Sequence, residues 1–448
     1  MALAIALALA GLIFGIASKT IEFGSSEGNW IFWYIKPLKS HPFLLFLALA
    51  PVLLLLAFGS FKTIQIQEKA TLAFWMVAAT ILQNAIRLVS PFSLASIIVS
   101  DRSNSYYLPA IRYSALELLR SYESISKTFT MHAFSNMPGK ILFFSCLRAI
   151  TDSPQVMGYV ILLISNLGGV LIYFITKKLF VNKTIALQAL LLYLFIPSRI
   201  FFLPLLNAVS PVFILLALFL FVLFLERKSR LILFCLGLLL YFTFLFEPLP
   251  FFSGIIFIAL LVHSFTQRQI NIREAAWIPV FSILGFLTAY LLMYLAFGFN
   301  LFNTFLFLLR DAADFNLRTG RHYSIWVIQN LKGLFLNAGL AQSLLAGFAL
   351  YTFANKMMML DRLQRKSYLL QTGNLFLVSV LGMILLMDLL GIPRGETERL
   401  WIFAACYLPV ISAWTIEKYF SISIFYMSLA SMVLQTTVTL SVVGFVVP

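Results

Sequence analysis

The chain has 448 residues, of which 61% are hydrophobic and only 11% charged, with 46 phenylalanines. That composition excludes an ordinary soluble domain and points to an all-α polytopic membrane protein, since runs of about 20 apolar residues cross a bilayer. The formal net charge of +15 does not indicate a nucleic-acid partner, because lysine and arginine punctuate the apolar runs instead of clustering on a soluble face.

The pattern predicts about thirteen spans, at roughly 1–17, 43–60, 71–97, 155–176, 184–198, 208–225, 231–246, 250–265, 276–297, 333–353, 369–391, 400–416 and 420–446. Those at 184–198 and 231–246 are short. The first run lacks a basic n-region and is expected to be a retained anchor. Cys146, Cys235 and Cys406 are too scattered for a disulfide frame or a zinc site and read as packing residues.

The loops sort into two sets. One carries Lys62, Lys69, Lys177, Lys178, Lys183, Arg227, Lys228, Arg230, Arg268, Arg273, Lys356, Arg362, Arg365, Lys366 and Lys418, 15 basic residues against five acidic ones. The other side carries 17 basic and 12 acidic residues, counting those inside spans. The short basic loops are expected to be cytoplasmic, and the opposite face to be the working face.

That face has two long loops, at about 100–153 and 298–332, and loops of such length are commonly functional. In the first, Pro109 opens a predicted helix to about Glu123. Its apolar face is Leu108, Ile111, Ala115, Leu118 and Tyr122; Arg112, Arg120, Glu123 and Lys127 lie opposite, the pattern of a helix on a membrane surface. In the second, Asp311 with Asp314 and Arg318 with Arg321 are i,i+3 pairs. With Arg310 and His322 they read as a solvated charged face, as do Glu117 and Glu123.

The densest charge lies at Arg394-Gly395-Glu396-Thr397-Glu398-Arg399-Leu400-Trp401, between apolar runs and about two turns after Asp388. Arginine presents a planar fork to phosphate oxygens and keeps its charge when partly desolvated, so Arg394 and Arg399 are the expected phosphate ligands. The plainer reading of Glu398 and Arg399 is a surface pair contributing little. Asp101, at the outer end of a span, is the candidate general base; its plainer reading is a solvated helix-end carboxylate.

Three segments carry a resemblance. Ser100-Asp101-Arg102-Ser103-Asn104-Ser105-Tyr106-Tyr107-Leu108-Pro109 looks like an acidic residue just past a span followed by aromatics. His132-Ala133-Phe134-Ser135-Asn136-Met137-Pro138-Gly139-Lys140 is similar to an H-P-P-G loop, and 394–401 to a G-E-x-x-R-x-W element. Together with the span count they resemble the GT-C superfamily of integral-membrane glycosyltransferases, in a bacterial branch. The resemblance covers most of the chain by architecture but only these segments by motif. Asn136 and Met137 depart from the H-P-P-G pattern, and Asn207 stands where the family's mid-chain Asp is expected.

The resemblance implies a single GT-C-like domain over 1–448 in a bacterial inner membrane. Its expected function is transfer of a hexose or pentose from a polyprenyl-phosphate donor to a lipid, glycan or protein acceptor on the outer face, in making cell-envelope glycan. Asp101 would be the base and Arg394 and Arg399 would bind the donor phosphate. Glu396, Glu398, His132, Lys140, Tyr106, Tyr107 and Asn207 would support the site or bind sugar. A divalent cation, Mg or Mn, is a possible cofactor that no residue spacing requires. The alternatives are a lipid or solute transporter and a non-catalytic GT-C-like scaffold.

Overall fold

Apolar runs of span length become helices because a backbone in hydrocarbon must satisfy its own N–H and C=O groups. The computed structural model describes residues 1–448, with the side chains of all but Met131 and Ala313. Among the described residues the strands form one hairpin, Phe23–Ser25 antiparallel to Trp30–Phe32. The remaining regular structure is helix, and the chain is an all-α polytopic membrane protein.

Among the described residues nine helices are long and apolar enough to span, or ten if the bent pair Tyr323–Ala338 and Leu340–Met359 is one span. The expected thirteen are therefore not reached. Ala2–Ala17 and Arg230–Phe246 form but are only 16 and 17 residues long. The run expected at 333–353 straddles a 114° bend at Gly339. The run at 400–416 divides into Thr397–Leu400, Ile402–Ala405 and Leu408–Tyr419. The Pro409 ring would strike the carbonyl four residues back if one helix ran through it.

Burial separates centre from rim. The Lys183–Phe201 segment is 94% buried over its apolar window, whereas Ile272–Phe297 is 11% buried and faces lipid on most sides. The latter packs on Arg230–Phe246 through two glycines: a Cβ on Gly237 would sit 2.0 Å from the Ser282 carbonyl, and one on Gly285 2.1 Å from that of Phe234. Small residues let the two backbones touch, the usual solution where lipid supplies no hydrophobic drive.

Two arginines counted by sequence with the outer face lie inside the bundle. Arg199 donates to the carbonyls of Tyr193 at 2.8 Å and Leu194 at 3.3 Å, to Ser165 Oγ at 2.6 Å and to Asn166 Oδ1 at 3.1 Å. Arg87 donates to the Ile200 carbonyl at 3.1 Å. Arg199 thus reaches carbonyls at the end of helix Lys183–Leu194, and Arg87 one in the short helix Pro197–Phe201 that follows, so both charges are met by hydrogen-bond acceptors inside the bundle.

The basic loops meet at one end. Glu68 takes Lys177 at 2.8 Å and Lys183 at 3.5 Å, and Glu226 pairs with Lys178. At the opposite end, residues 100–153 form the short helices Tyr107–Arg112, Ala115–Arg120, Tyr122–Ile125, Met131–Phe134 and Gly139–Arg148. The single helix expected from Pro109 to Glu123 is broken at Ser114, whose side chain caps the next helix by accepting the Glu117 N–H at 3.2 Å. Leu118 and Tyr122 are buried in a second apolar core with Phe299, Leu301 and Leu308. The other expected loop is largely helix, Leu301–Arg318 followed by Tyr323–Ala338.

Candidate functional site

The turn after helix Thr372–Leu390 is built from left-handed residues: Gly391 at φ +57°, Gly395 at +80° and Glu396 at +58°. Glycine adopts this region freely, but Glu396 does so against its Cβ, and such strain persists where the surroundings over-determine it. The surroundings are two arginines. Arg321 Nη2 donates to Glu396 Oε1 at 3.4 Å, and Arg399 Nη2 donates to Oε2. Arg321 also donates to the Arg394 carbonyl at 2.7 Å, while Arg394 donates to the Arg321 carbonyl and to that of Gly391, both at 3.0 Å. The Arg321 guanidinium lies between the rings of Trp30 and Phe315, 4.9 Å from each.

Electrostatics follow from this packing. Burial acts to raise the Glu396 carboxyl, but Arg399 and Arg321 outweigh it and hold the group below its ordinary value. Burial, then Arg399, holds the His132 imidazole down to about 4, so it is neutral near pH 7. The Nε atoms of Arg321 and Arg399 are buried without a hydrogen-bond partner among the described residues.

Glu396, Arg399 and His132 stand between two cavities. The first, of about 230 Å³, is lined by these three with Arg321, Arg394, Glu247 and an apolar wall including Leu249, Phe305, Leu308 and Phe315. The second, of about 430 Å³, is lined by the same three with Trp30, Trp33, Arg102, Ser103 and residues 444–447. The N-terminal hairpin is fastened over this region. Asn29 donates to the Gly320 carbonyl at 3.1 Å, Trp326 Nε1 to that of Gly28 at 3.0 Å, and Lys332 to that of Gly24 at 2.8 Å.

The expected site residues are thus partly gathered. His132, Arg394, Glu396 and Arg399 share the first cavity. Lys140 is buried and pairs with Glu247 at 3.3 Å, and Asn207 donates to the same carboxylate at 3.2 Å. Asp101 lines neither cavity: it accepts from Thr130 Oγ1 at 2.9 Å, while its neighbours Arg102 and Ser103 line the second. Tyr106 and Tyr107 are buried in the second core, Tyr106 beneath the Lys140 ammonium at 5.6 Å and Tyr107 against Phe144.

Glu398 also lines neither cavity. It is buried against Gly333, and burial pushes its carboxyl up to about 7. Its oxygens make no hydrogen bond among the described residues. The surface-pair reading of Glu398 with Arg399 does not hold, because Arg399 turns to Glu396. Among the described residues no group of three or more His, Cys, Asp or Glu side chains is placed to hold a metal ion.

Two participants escaped the sequence reading. Arg321 is expected on a solvated face, where Arg310, Asp314, Arg318 and His322 do lie, but it is 5% exposed. Glu247 belongs to no motif, although a lone carboxylate closing the apolar run at Phe246-Glu247-Pro248 is a usable signal. No family model, no curated protein and no solved structure matches this chain.

Proposed function

We propose that this chain is a GT-C-type glycosyltransferase that moves a hexosyl or pentosyl unit from a polyprenyl-phosphate donor to a lipid, glycan or protein acceptor. The side bearing the cavities would be the extracytoplasmic face of a bacterial inner membrane, opposite the basic loops. The observation that carries the reading is the two-sided first cavity. One wall is apolar and the other carries Arg321 and Arg399 sharing Glu396. Three carboxylates line this cavity with the three arginines, but Lys140 pairs with Glu247 at 3.3 Å and Arg318 with Asp311 at 2.9 Å, which leaves Arg321, Arg394 and Arg399 against Glu396, an excess of positive charge that suits a phosphate. Leu306 and Leu309, on the 301–318 helix beside the apolar wall, are exposed, which suits sideways entry of a prenyl chain.

In this reading Asp101, held by Thr130 beside the second cavity, takes the proton of the acceptor hydroxyl. The hydroxyl oxygen attacks the anomeric carbon as the bond from that carbon to the phosphate oxygen breaks. The phosphate leaves with the electron pair as polyprenyl phosphate, its charge held by Arg399, Arg321 and Arg394. Asp101→Asn is expected to lower release of polyprenyl phosphate from a polyprenyl-phosphate hexose, in membranes that supply acceptor, by about 10²–10⁴-fold. Unchanged release would remove Asp101 from the base role.

The 114° bend between Tyr323–Ala338 and Leu340–Met359 favours a second reading, a lipid or solute transporter, since broken helices line many transport sites. Flux of a labelled polyprenyl lipid across reconstituted vesicles, with no chemical change in the lipid, would select it.

A further inference from the structure

The transfer step leaves one buried charge cluster without a task. Lys140 Nζ lies 3.3 Å from Glu247 Oε2, with the two side chains 1% and 4% exposed. Ser210 Oγ donates to the same oxygen, and Asn207 Nδ2 donates to Oε1 at 3.2 Å. A buried pair of this kind is seldom more stabilising than apolar side chains of the same volume. Lys140 is closed in by the rings of Tyr106 and Phe246, at 5.6 and 5.9 Å. Glu247 is not closed in: it lines the first cavity together with Arg321, Arg399 and Glu396. As the carboxylate partner of Lys140 it is acceptor-only, and Oε1, with Asn207 as its one donor among the described residues, keeps room for another.

Resting on the glycosyltransferase reading, we infer that Glu247, held in place by Asn207, forms a recognition subsite for the sugar of the donor. Glu247 accepts hydroxyl hydrogens from a single neutral sugar ring whose phosphate lies against Arg399. The cavity's volume of about 230 Å³ is below the roughly 300–1,000 Å³ of most ligand sites, which suits a single sugar ring. A sugar bearing a carboxylate is rejected by charge repulsion from Glu247. Lys140 and Ser210 act as positioning residues, fixing the carboxylate so that it need not reorganise when the sugar arrives.

The test compares two probes in lipid nanodiscs, bare polyprenyl phosphate and the same lipid carrying one neutral hexose. The protein is expected to bind the hexosyl lipid about tenfold or more tighter than the bare one, the worth of hydrogen bonds to a charged acceptor. Glu247→Gln alone would strand the Lys140 charge, so it is combined with Lys140→Met. The double variant is expected to bind both lipids within about twofold of each other while holding the bare lipid as before. Asn207→Ala, a milder change, loses part of the preference and serves if the double variant does not fold.

Full preference in either variant, or no preference in the unaltered protein, overturns the subsite and leaves the glycosyltransferase reading standing. Binding of neither lipid to the unaltered protein defeats that reading, and the subsite with it.

Discussion

The two ends of the bundle both carry ion pairs, but of different kinds. At the basic end Lys178 and Glu226 have side chains 24% and 51% exposed. At the other end Arg321 and Glu396 are 6% and 10% exposed. Exposed pairs join helix ends that packing already holds, and are typically worth about 0–1 kcal/mol. Buried pairs oppose their own desolvation, so they mark places where charge is kept for a purpose beyond stability. The first end reads as an address for membrane insertion, and the second as a site.

That contrast breaks most visibly at Glu396. Glu396→Ala leaves two guanidiniums facing each other in a confined space and is expected to cost about 3–5 kcal/mol, read as a large fall in thermal midpoint in detergent. Glu396→Gln, which can still accept one hydrogen bond, should fall less. A midpoint unmoved by Glu396→Ala would show that the site end is solvated like the other.

A second effect is one of pH, with opposite signs at two groups. Glu398, pushed up to about 7 from an ordinary 4.5, favours its protonated form in the fold. Its contribution is full below about pH 4.5 and is lost as pH rises through about 7. His132, held down to about 4 from 6.5, favours its neutral form. Its contribution is present above about pH 6.5 and is lost as pH falls through about 4. Thermal midpoints between pH 4 and 8 should therefore show Glu398→Gln removing a decline on the alkaline side and His132→Asn removing one on the acid side. If both variants changed the profile in the same direction, one of these environments would be misassigned.

The smallest effect is expected where the pair is exposed. Glu226→Gln should change stability by less than about 1 kcal/mol, and by still less in high salt. A loss as large as that of Glu396→Ala would erase the distinction between the ends.

The sequence made class and charge distribution legible, because periodicity and apolar run length are local properties. The grouping of basic loops is visible in the Glu68 and Glu226 pairs, and the 394–399 segment does line a cavity with His132. What it hid depends on contacts between distant elements. Arg321 looked solvated because its i,i+3 partner Arg318 is solvated; the distant Glu396 and the ring of Trp30 bury it. Arg87 and Arg199 looked like face charges because no sequence rule shows which carbonyls a broken helix leaves free. The hairpin was invisible because three-residue strands carry too short a pattern to register.

The walls of the second cavity have a consequence for biosynthesis. They come from residues 26, 29–33, 102–103, 132, 202, 205, 396, 399 and 444–447, and the hydroxyl of Ser103 reaches the carbonyl of Val447. Contacts so far apart in sequence form only after long loops have closed. A nascent chain can insert its early helices one by one, yet the cavity has no complete wall until helix Ile422–Val442 is in place. The site is therefore expected to be the last part of the molecule to acquire protease resistance during synthesis.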